Sequence, residues 1–430
     1  MTITSTMFLG IDVSLDTNQV CAMNYNQDVF FNKSFKNTVT GSEELVNNVL
    51  SVISSKKFSH LTVCMESTSI YFFHIANYLS TDNQLAQYNC KVYCVNPKMI
   101  ANYKKSYLDR PKNDPSDAWL IADYVRVGRC NKLRQWRGAS YVALQRLTRY
   151  RFHLAQDLSR EKNYCLNNIY LKFSNLRKKD GKDDKDNPFS DIFGATSTAV
   201  LTDFLTIDEI ATTPVEDLVA YLNEKSRGRF ADPNEVAMLL KKCVSQSYRL
   251  DKLSYDALNI TISSNIRMIK ALETELKSID KQITDYAKGI DSNAMTVLQS
   301  IPGIGPVFAA GILAEIGSID CFDNEKALAR YASLTWKDHS SGKVISEDNE
   351  LVHSGNPFLK YYLEMACGLL INHDIKYKAY YSRKYNEAKT HKHKRALVLT
   401  TRKFVRMIYS MLRYNTLYCD QATGEVQIIE

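Results

Sequence analysis

The apolar positions in the first third of the chain follow two different spacings. Apolar residues recur at steps of three and four over residues 42–53 and 71–79, which predicts two amphipathic helices. Short runs rich in β-branched and aromatic residues predict four strands, at residues 8–13, 19–24, 61–65 and 91–95. Two strands followed by alternating helices and strands indicate an α/β domain, for which we predict the bounds 1–155.

The remaining two thirds of the chain have a mainly helical pattern. Residues 178–188 are almost entirely polar, which predicts an exposed loop or a disordered insertion. Further on, six apolar residues step alternately by four and three and predict a long helix with a heptad seam: Leu272, Leu276, Ile279, Ile283, Tyr286 and Ile290. Such a seam fits an intramolecular helical hairpin as well as a coiled coil between chains. We therefore predict a helical linker region over 156–290 and a mainly helical domain over 291–430.

The distribution of charge along the chain changes the picture more than its total does. Residues 98–179 carry 19 Lys and Arg against 6 Asp and Glu, and residues 376–406 carry 11 against 1. Residues 180–300 are acidic, with 14 Lys and Arg against 20 Asp and Glu. Two basic surfaces on either side of an acidic region fit a long polyanion held at two places. Ordinary solvated helix faces are the alternative explanation.

Composition excludes several other classes of protein. At 430 residues the chain exceeds what one hydrophobic core usually organises. It contains no apolar run near the roughly 20 residues that span a bilayer, so we expect a cytoplasmic protein without membrane contact. Its ten cysteines form no CxxC pair, so neither a zinc site nor a disulfide framework is predicted.

Four carboxylates stand where they can converge. Asp12 in FLGIDVS and Glu66 in VCMESTS each lie at the end of a predicted strand, where side chains can face a common crevice. Asp114 and Asp117 are three residues apart at the start of a helical pattern, so both can face the same side. Converging carboxylates repel one another unless a cation neutralises them, which indicates a site for Mg²⁺ or Mn²⁺. Taken singly, the last three acids could equally well serve as helix-start residues.

Two further motifs lie in the C-terminal third. The segment 298–317 places Gly303 and Gly305 between two helical patterns, which is typical of a helix-hairpin-helix that binds phosphates through backbone amides. A plain turn between helices is the alternative. Ser340 and Ser341 precede Gly342 in a polar segment, and either serine could be a nucleophile if a base or a metal ion activates it.

Taken together, these motifs resemble the DEDD-type serine recombinases of the IS110 insertion sequences, which are guided by a bridge RNA. The resemblance covers most of the chain and rests on GIDVS, MESTSIY, VNP, NDPSDAWLIADYV, IPGIGPVFAAGILAEIG, SSG, HSGNPFLKYYL and TRKFVRMIYSML. The sequence departs from the family at Ser69, where glycine is usual, and at residues 334–337.

The resemblance implies a RuvC-like, ribonuclease-H-type domain with Asp12, Glu66, Asp114 and Asp117 as catalytic metal ligands. It also implies a C-terminal transposase domain whose serine attacks DNA and forms a phosphoserine. Ser341 is favoured over Ser340 because the family's serine directly precedes the glycine. The expected partners are donor and target DNA, a guide RNA that pairs with both, and further copies of the chain in a dimer or tetramer near the bacterial nucleoid.

Basic residues outside these motifs are candidates for phosphate contacts. The first group lies before and after the predicted Asp-x-x-Asp helix, and the second lies near the C-terminus. The candidates are Lys104, Lys105, Arg110, Lys112, Arg146, Arg149, Lys392, Lys394, Arg402 and Lys403.

Two other functions remain open at the level of sequence. A RuvC-like nuclease that only hydrolyses DNA would need the four acids but not Ser341. A non-catalytic nucleic-acid scaffold would need the basic surfaces and the hairpin, but it would leave the pairing of Asp114 with Asp117 unexplained.

Overall fold

The computed structural model of the chain describes residues 3–67, 69–107, 111, 113–130, 135–136, 138–176, 187–290, 292–336, 340–341, 344–345, 351 and 355–419. The chain divides into two units. A terminal unit combines Met1–Thr148 with Ile283–Glu430, and a middle unit consists of Arg149–Gln282. The division into three domains at 155 and 290 stays a prediction.

A five-stranded mixed sheet lies in the first part of the terminal unit. Its strands, in the spatial order β3-β2-β1-β4-β5, are β1 (Thr6–Val13), β2 (Thr17–Met23), β3 (Val29–Lys36), β4 (His60–Glu66) and β5 (Lys91–Val95). The strands β1, β2 and β3 pair antiparallel, whereas β4 pairs parallel with both β1 and β5. All four predicted strands are present. The fifth, β3, escaped prediction because its sequence VFFNKSFK lies at an edge and is half polar.

Helices cover both faces of this sheet. They are α1 (Val39–Lys56), α2 (Phe72–Thr81), α3 (Asn83–Ala86), α4 (Pro97–Lys104) and α5 (Asp114–Arg126). On one face, Leu45 and Val49 of α1 are buried in a core with Leu9 and Ile11 of β1. On the other face, α5 joins a second core with residues of β1, β2 and β4. The sheet is thus buried on both sides, as expected where parallel strands are connected by helices.

The middle unit is helical in its described residues. It contains most of α6 (Ala139–Lys172) and α11 (Lys252–Ala287), together with α7 (Ala195–Asp203), α8 (Ile207–Thr212), α9 (Val215–Ser226) and α10 (Pro233–Ser245). The two long helices run antiparallel, since Lys162 Nζ lies 2.6 Å from Glu273 Oε1 and Asn168 Nδ2 donates to Asn265 Oδ1 over 3.0 Å. The predicted long helix is therefore present, and its earlier turns pack within the chain.

The C-terminal part of the terminal unit is mainly helical. Its elements are α12 (Ser292–Gln299), α13 (Pro306–Ile316), α14 (Glu325–Tyr331), β6 (Ser340–Ser341), β7 (Val344–Ile345), α15 (Pro357–His373), α16 (Ile375–Glu387) and α17 (Lys392–Tyr414). The first turns of α6 belong with these helices, because Tyr141 Oη donates to Leu313 O over 3.3 Å and Tyr362 Oη donates to Thr148 O over 2.5 Å. In the described residues, no helix has the length and apolar character needed to cross a membrane.

Candidate active site

Asp12 and Glu66 occupy equivalent positions on neighbouring parallel strands. Ile11 of β1 is opposite Met65 of β4, and the two acids follow these residues directly. Since side chains alternate along a strand, Asp12 points to the same face of the sheet as Gly10, two residues earlier. Both carboxylates are therefore placed at the carboxyl edge of the sheet, beside α5.

Gly10 allows α5 to lie directly on the sheet. A Cβ atom at this position would stand 2.1 Å from the backbone N of Ala122 and 2.3 Å from the backbone O of Ala118. Only a residue without a side chain permits this approach of helix and strand. The contact sets the distance between β1 and the helix that begins with Asp114 and Asp117.

The start of α5 is held by groups other than the two acids. Asn113 is the N-cap, and its Oδ1 accepts from Ser116 N over 2.9 Å. Asn32 of β3 donates from Nδ2 to Pro115 O over 2.8 Å. Asn113 rather than Asp114 is thus the N-cap, and Asp114 and Asp117 lie in the first turn of α5.

A buried carboxylate further along α5 fixes the neighbouring helix α4. Asp123 is fully buried and accepts from the hydroxyls of Tyr103 and Tyr107, each over 2.6 Å. Arg126 Nε donates to the same carboxylate over 2.7 Å. These bonds hold the end of α4 against α5 and bring Lys104 into an ion pair with Asp117.

The four predicted acids influence one another electrostatically. Burial is the largest cause that raises the pKa of Asp12 to about 6, and the negative charges of Glu66, Asp117 and Asp114 raise it further. The ammonium group of Lys104 acts in the opposite direction. The pKa of Asp12 thus responds to the charges of all three other acids, and their convergence on one metal ion stays a prediction.

The four carboxylates are suitable ligands for a hard divalent cation, although they are not arranged for coordination in this structure. Carboxylate oxygens are the ligands that Mg²⁺ and Mn²⁺ prefer. Among the residues with described positions, no three Asp, Glu, His or Cys side chains lie close enough together to hold one metal ion. The acids can still affect the pKa of Asp12, because charges interact over longer distances than those of metal coordination. In addition, the carboxylate of Asp117 is turned towards Lys104. Ion binding would require Lys104 to release Asp117.

The turn after Glu66 keeps a glycine-like backbone. Ser69 has a φ of 53°, in the left-handed region that favours glycine. A serine in this conformation costs about 1 kcal/mol in backbone strain, which a glycine would avoid.

The segment that carries the predicted nucleophile is flanked by two backbone contacts. Ser340 and Ser341 form β6, opposite Ile345 and Val344 of β7, and Gly342 lies outside the described residues. Trp336 and Leu351 form a bridge between the two arms of the segment. Below this bridge, Asn356 N donates to Tyr331 O over 2.6 Å.

Asn356 connects the end of this segment to a buried acid. Its Nδ2 donates to Glu315 Oε2 over 2.7 Å and to Tyr331 Oη over 3.1 Å, while its Oδ1 caps α15 by accepting from Phe358 N over 3.0 Å. Glu315 is fully buried in α13 and also accepts from Gln145 Nε2 over 3.2 Å. No sequence motif predicted the bond from Asn356 to Glu315, although the run HSGNP is typical of a capped helix start.

The predicted helix-hairpin-helix corresponds to α12, a turn and α13. Gly303 has a φ of 82° and packs so closely that an added Cβ would stand 2.7 Å from Cδ2 of His373. Gly305, the N-cap of α13, has open space on its side-chain face, with nothing within 4 Å of an added Cβ. In this hairpin, Gly303 is thus closely packed against α15, whereas the space beside Gly305 is empty.

The predicted basic contacts fall into different surroundings. Lys104 is half-buried beside Asp117, whereas Lys105, Arg146, Lys392, Lys394 and Lys403 are exposed. Arg149 and Arg402 are half-buried. Arg110 and Lys112 lie outside the described residues.

Two family models match the chain, one in its N-terminal part and one in its C-terminal part. The family model for IS110-type DEDD transposases, described as "Transposase", matches residues 9–173, and the model "Transposase IS116/IS110/IS902 family" matches residues 295–382. The first range contains the four acids and the second contains Ser341 and Asn356. Together the two matches cover more than half of the chain.

Curated relatives are similar over different lengths. An IS110 element protein of Streptomyces coelicolor, named uncharacterized, is 27% identical over 40% of this chain and 41% of its own length. The transposase for insertion sequence element IS1111A of Coxiella burnetii is 29% identical over 30% of this chain and 39% of its own length. The chain thus spans about two fifths of these two relatives. The pilin gene-inverting protein of Moraxella lacunata is 22% identical over 96% of this chain and 97% of its own length.

Proposed function

The chain belongs to the IS110 family of transposases, and from this premise we propose that it cuts and rejoins DNA strands as the recombinase of an insertion sequence. The observation that carries the proposal is the position of Asp12 and Glu66 at the carboxyl edge of the sheet, where the charges of Glu66, Asp117 and Asp114 all raise the pKa of Asp12. The strand order and the mixed pairing of the sheet support a RuvC-like, ribonuclease-H-type domain.

We propose that these four acids hold Mg²⁺, or Mn²⁺ in its place. The ion would supply positive charge to a scissile phosphodiester and to the oxygen that leaves it. The protein's own contribution is positional, because β1, β4 and α5 bring the oxygen donors together. Lys104 supplies a cation to Asp117 until an ion and DNA replace it.

The covalent step is assigned to Ser341, with Ser340 as the alternative. The serine hydroxyl loses its proton to a nearby base, and its Oγ forms a bond to phosphorus. The bond from phosphorus to one bridging oxygen of the DNA breaks, and this oxygen leaves as a hydroxyl after taking up a proton. Attack by another DNA hydroxyl on the phosphoserine reverses these bond changes and joins the new strands.

The partners follow from this chemistry and from the charge distribution. Donor and target DNA are the substrates, and a guide RNA that pairs with both would supply sequence recognition. The candidate contacts are the basic residues around α5 and on α17, together with the open amide end of α13 at Gly305. We further propose a dimer or tetramer, in which the serine of one copy meets the acids of another.

The test is a search for the covalent intermediate. Purified protein would be mixed with its flanking RNA, Mg²⁺ and labelled donor and target DNA, and a denaturing gel would separate protein-linked from free DNA. We expect a protein-linked band from the wild type and none from Asp12→Asn, Asp117→Asn or Ser341→Ala.

The variants also separate the alternatives. If Ser341→Ala keeps the covalent band and Ser340→Ala loses it, the neighbouring serine is the nucleophile. If Ser341→Ala and Ser340→Ala both release free cut DNA and Asp12→Asn does not, the protein is a hydrolytic nuclease and the serine step is wrong. Lys277→Gln, on the exposed side of α11, serves as the control that keeps the band.

A further inference from the structure

The hairpin of α16 and α17 carries a positive surface that extends beyond the candidate contacts on α17. Residues 376–406 contain one carboxylate, Glu387, against 11 Lys and Arg. Glu387 is already paired, since its carboxylate lies 2.5 Å from Lys384 Nζ and 3.7 Å from Arg383 Nε. The chain therefore provides little negative charge to balance this surface from within the hairpin.

Tyrosine rings alternate with these cations along α16. Tyr377, Tyr381 and Tyr385 are four residues apart and so lie along one side of the helix, with Tyr380 beside them. We call these four residues the tyrosine strip. Lys403 Nζ of α17 lies 4.8 Å from the ring centroids of both Tyr377 and Tyr380. Tyr377 is buried, whereas Tyr380 is half-buried and Tyr385 is 39% exposed, so the ring surface accessible to a ligand belongs mainly to Tyr380 and Tyr385.

A pocket opens at the end of the tyrosine strip. It has a volume of about 430 Å³ and lies between the start of α16, the second half of α17 and residues 417–419. Its apolar wall includes Tyr377, Met407 and Met411, and three cations also line it: Lys376, Lys403 and Arg406. The volume falls in the range of roughly 300–1,000 Å³ that is typical of small-ligand sites.

Asp374 is the one carboxylate among the described residues of the pocket wall, and it is already hydrogen-bonded. Asp374 accepts a hydrogen bond from the hydroxyl of Tyr418, and its Oδ1 accepts from Tyr377 N over 2.7 Å. Because it caps α16 and ties residue 418 to the helix, Asp374 belongs to the frame of the pocket. The other described residues of the wall present an apolar surface and three cations to a ligand.

A second observation also indicates a missing anion. Among side chains with described positions, Arg402 has a buried Nη1 atom without a hydrogen-bond acceptor. Burial lowers the pKa of Arg402, the carboxylate of Glu325 raises it, and the positive charge of Arg406, one helical turn further along α17, lowers it again. A bound anion would accept from Nη1 and add its negative charge to that of Glu325.

We propose that the hairpin of α16 and α17 binds an unpaired polynucleotide, with one nucleotide in the pocket and its neighbours stacked on the tyrosine strip. Phosphates would meet Lys403 and Arg406, and bases would meet the ring faces. A duplex fits less well, because its bases are already stacked and cannot cover tyrosine rings. The proposal rests on the proposed function only for the choice of nucleic acid as the polyanion.

The test measures binding by the full-length protein without cutting. Fluorescence anisotropy would follow labelled oligo(U), labelled oligo(dT) and a labelled duplex of mixed sequence, in EDTA and at several salt concentrations. Tyr380→Leu should weaken binding of the single strands about tenfold and leave duplex binding nearly unchanged. Lys403→Gln should also reduce the slope of log affinity against log salt by about one. The two oligomers then show whether RNA or DNA is the preferred strand.

Matched variants guard against misfolding. Tyr248→Leu, which removes an 82% exposed tyrosine of the middle unit, should leave all affinities unchanged. Tyr385→Leu removes an exposed ring and should repeat the effect of Tyr380→Leu in a smaller degree. Wild-type affinities in Tyr380→Leu, Tyr385→Leu and Lys403→Gln would overturn the proposal, as would equal losses for duplex and single strands. The covalent band is scored separately, so failure here does not decide the serine chemistry.

Discussion

At the scale of single residues, two ionisable side chains lie in surroundings that disfavour their charged forms. Asp12 is surrounded by three other acids, and Lys172 lies 2% exposed in the middle unit. Both groups have pKa values moved towards neutrality, in opposite directions from their usual ranges. Such displaced groups occur often at functional sites, but structural groups show them as well. The two residues therefore call for different tests.

Asp12→Asn should stabilise the metal-free protein at neutral pH. The pKa of Asp12 rises from 3.8 to about 6 on folding, so its contribution is most favourable below pH 4 and is lost as the pH rises through 6. At pH 7 we expect the variant to be about 1–2 kcal/mol more stable, after allowance for solvent screening. Thermal unfolding at pH 4 and pH 7 measures the difference, which should be small at pH 4.

Addition of Mg²⁺ should reverse this order. The wild type should gain stability with increasing Mg²⁺ because the ion binds the folded state, and Asp12→Asn should gain less. A wild type that is already the more stable protein at pH 7 in EDTA would contradict the electrostatic account of the site.

Lys172 is expected to make the middle unit more stable in mild alkali. Burial lowers the pKa of Lys172 to about 8, and its Nζ donates to Leu201 O and Phe204 O over 2.8 and 2.7 Å. Since the unfolded chain holds the proton up to about pH 10.5, stability should rise between pH 8 and 10, by up to about 3 kcal/mol.

Urea unfolding of the wild type, Lys172→Met and Lys172→Arg at pH 7.5 and 9.5 checks this rise. Neither variant should show the rise, because methionine does not titrate and arginine keeps its charge throughout. An equal change with pH in all three proteins would assign the effect to other groups.

At the scale of elements, the candidate site depends on the packing of α5 against β1 and on the contact of the start of α15 with α13. Gly10→Ala should push α5 away from β1, since the new Cβ would collide with the backbone of Ala118 and Ala122. We expect a loss of about 1–3 kcal/mol in stability and a weaker effect of Mg²⁺ on the melting temperature. Gly368→Ala is the matched control, because an added Cβ there meets nothing within 4 Å. Equal behaviour of both variants would show that the close contact is unimportant.

Asn356→Ala should loosen the base of the segment that carries Ser341. It removes the cap of α15 and leaves the buried carboxylate of Glu315 without one of its donors, at a cost of about 2–3 kcal/mol. Asn356→Asp keeps the cap but places a second carboxylate beside Glu315. Its melting temperature should therefore fall further below that of the wild type at pH 7 than at pH 5. A loss independent of pH would argue against the contact with Glu315.

The elements that the sequence predicted are those whose signal is local. The strands that end at Asp12 and Glu66 could be recognised from their own residues, and so could the start of the helix at Asp114. The close approach at Gly10 depends on residues more than a hundred positions away, and no spacing reveals it. The same holds for the bond from Asn356 to Glu315, which joins two helices across 41 positions of sequence. Charge convergence was predictable, whereas the ion pair of Lys104 with Asp117 was not.

At the scale of the whole molecule, the terminal unit contains both ends of the described chain. Its second part begins at Ile283, after the chain has passed through the middle unit. The first turns of α6 are covered by α13 and α15, with Leu144 fully buried. The sequence patterns predict consecutive domains bounded at 155 and 290, which stays a prediction, and a return of the chain leaves no mark on local spacing.

A chain that ends at residue 290 should therefore be incomplete. Without α13 and α15, the turns of α6 around Leu144 lose their cover, and apolar surface becomes exposed to solvent. We expect binding of a dye for apolar surface and a melting temperature well below that of the full chain. Full-length protein cut by protease near residue 290 but left associated is the control. A shortened chain as stable as the full-length protein would support three independent domains instead.

The return of the chain into its first unit also sets an order of events on the ribosome. The acids at 12, 66, 114 and 117 are synthesised early, whereas α13 and α15 emerge only after the whole middle unit. Domains generally fold as units during synthesis, so the middle unit can fold before the terminal unit is complete. A message cut short, or a ribosome that stalls, would then release a chain that lacks both Ser341 and the helices that cover α6. Under the proposed function, such a chain contains the four acids without the serine, and it can form no covalent link to DNA.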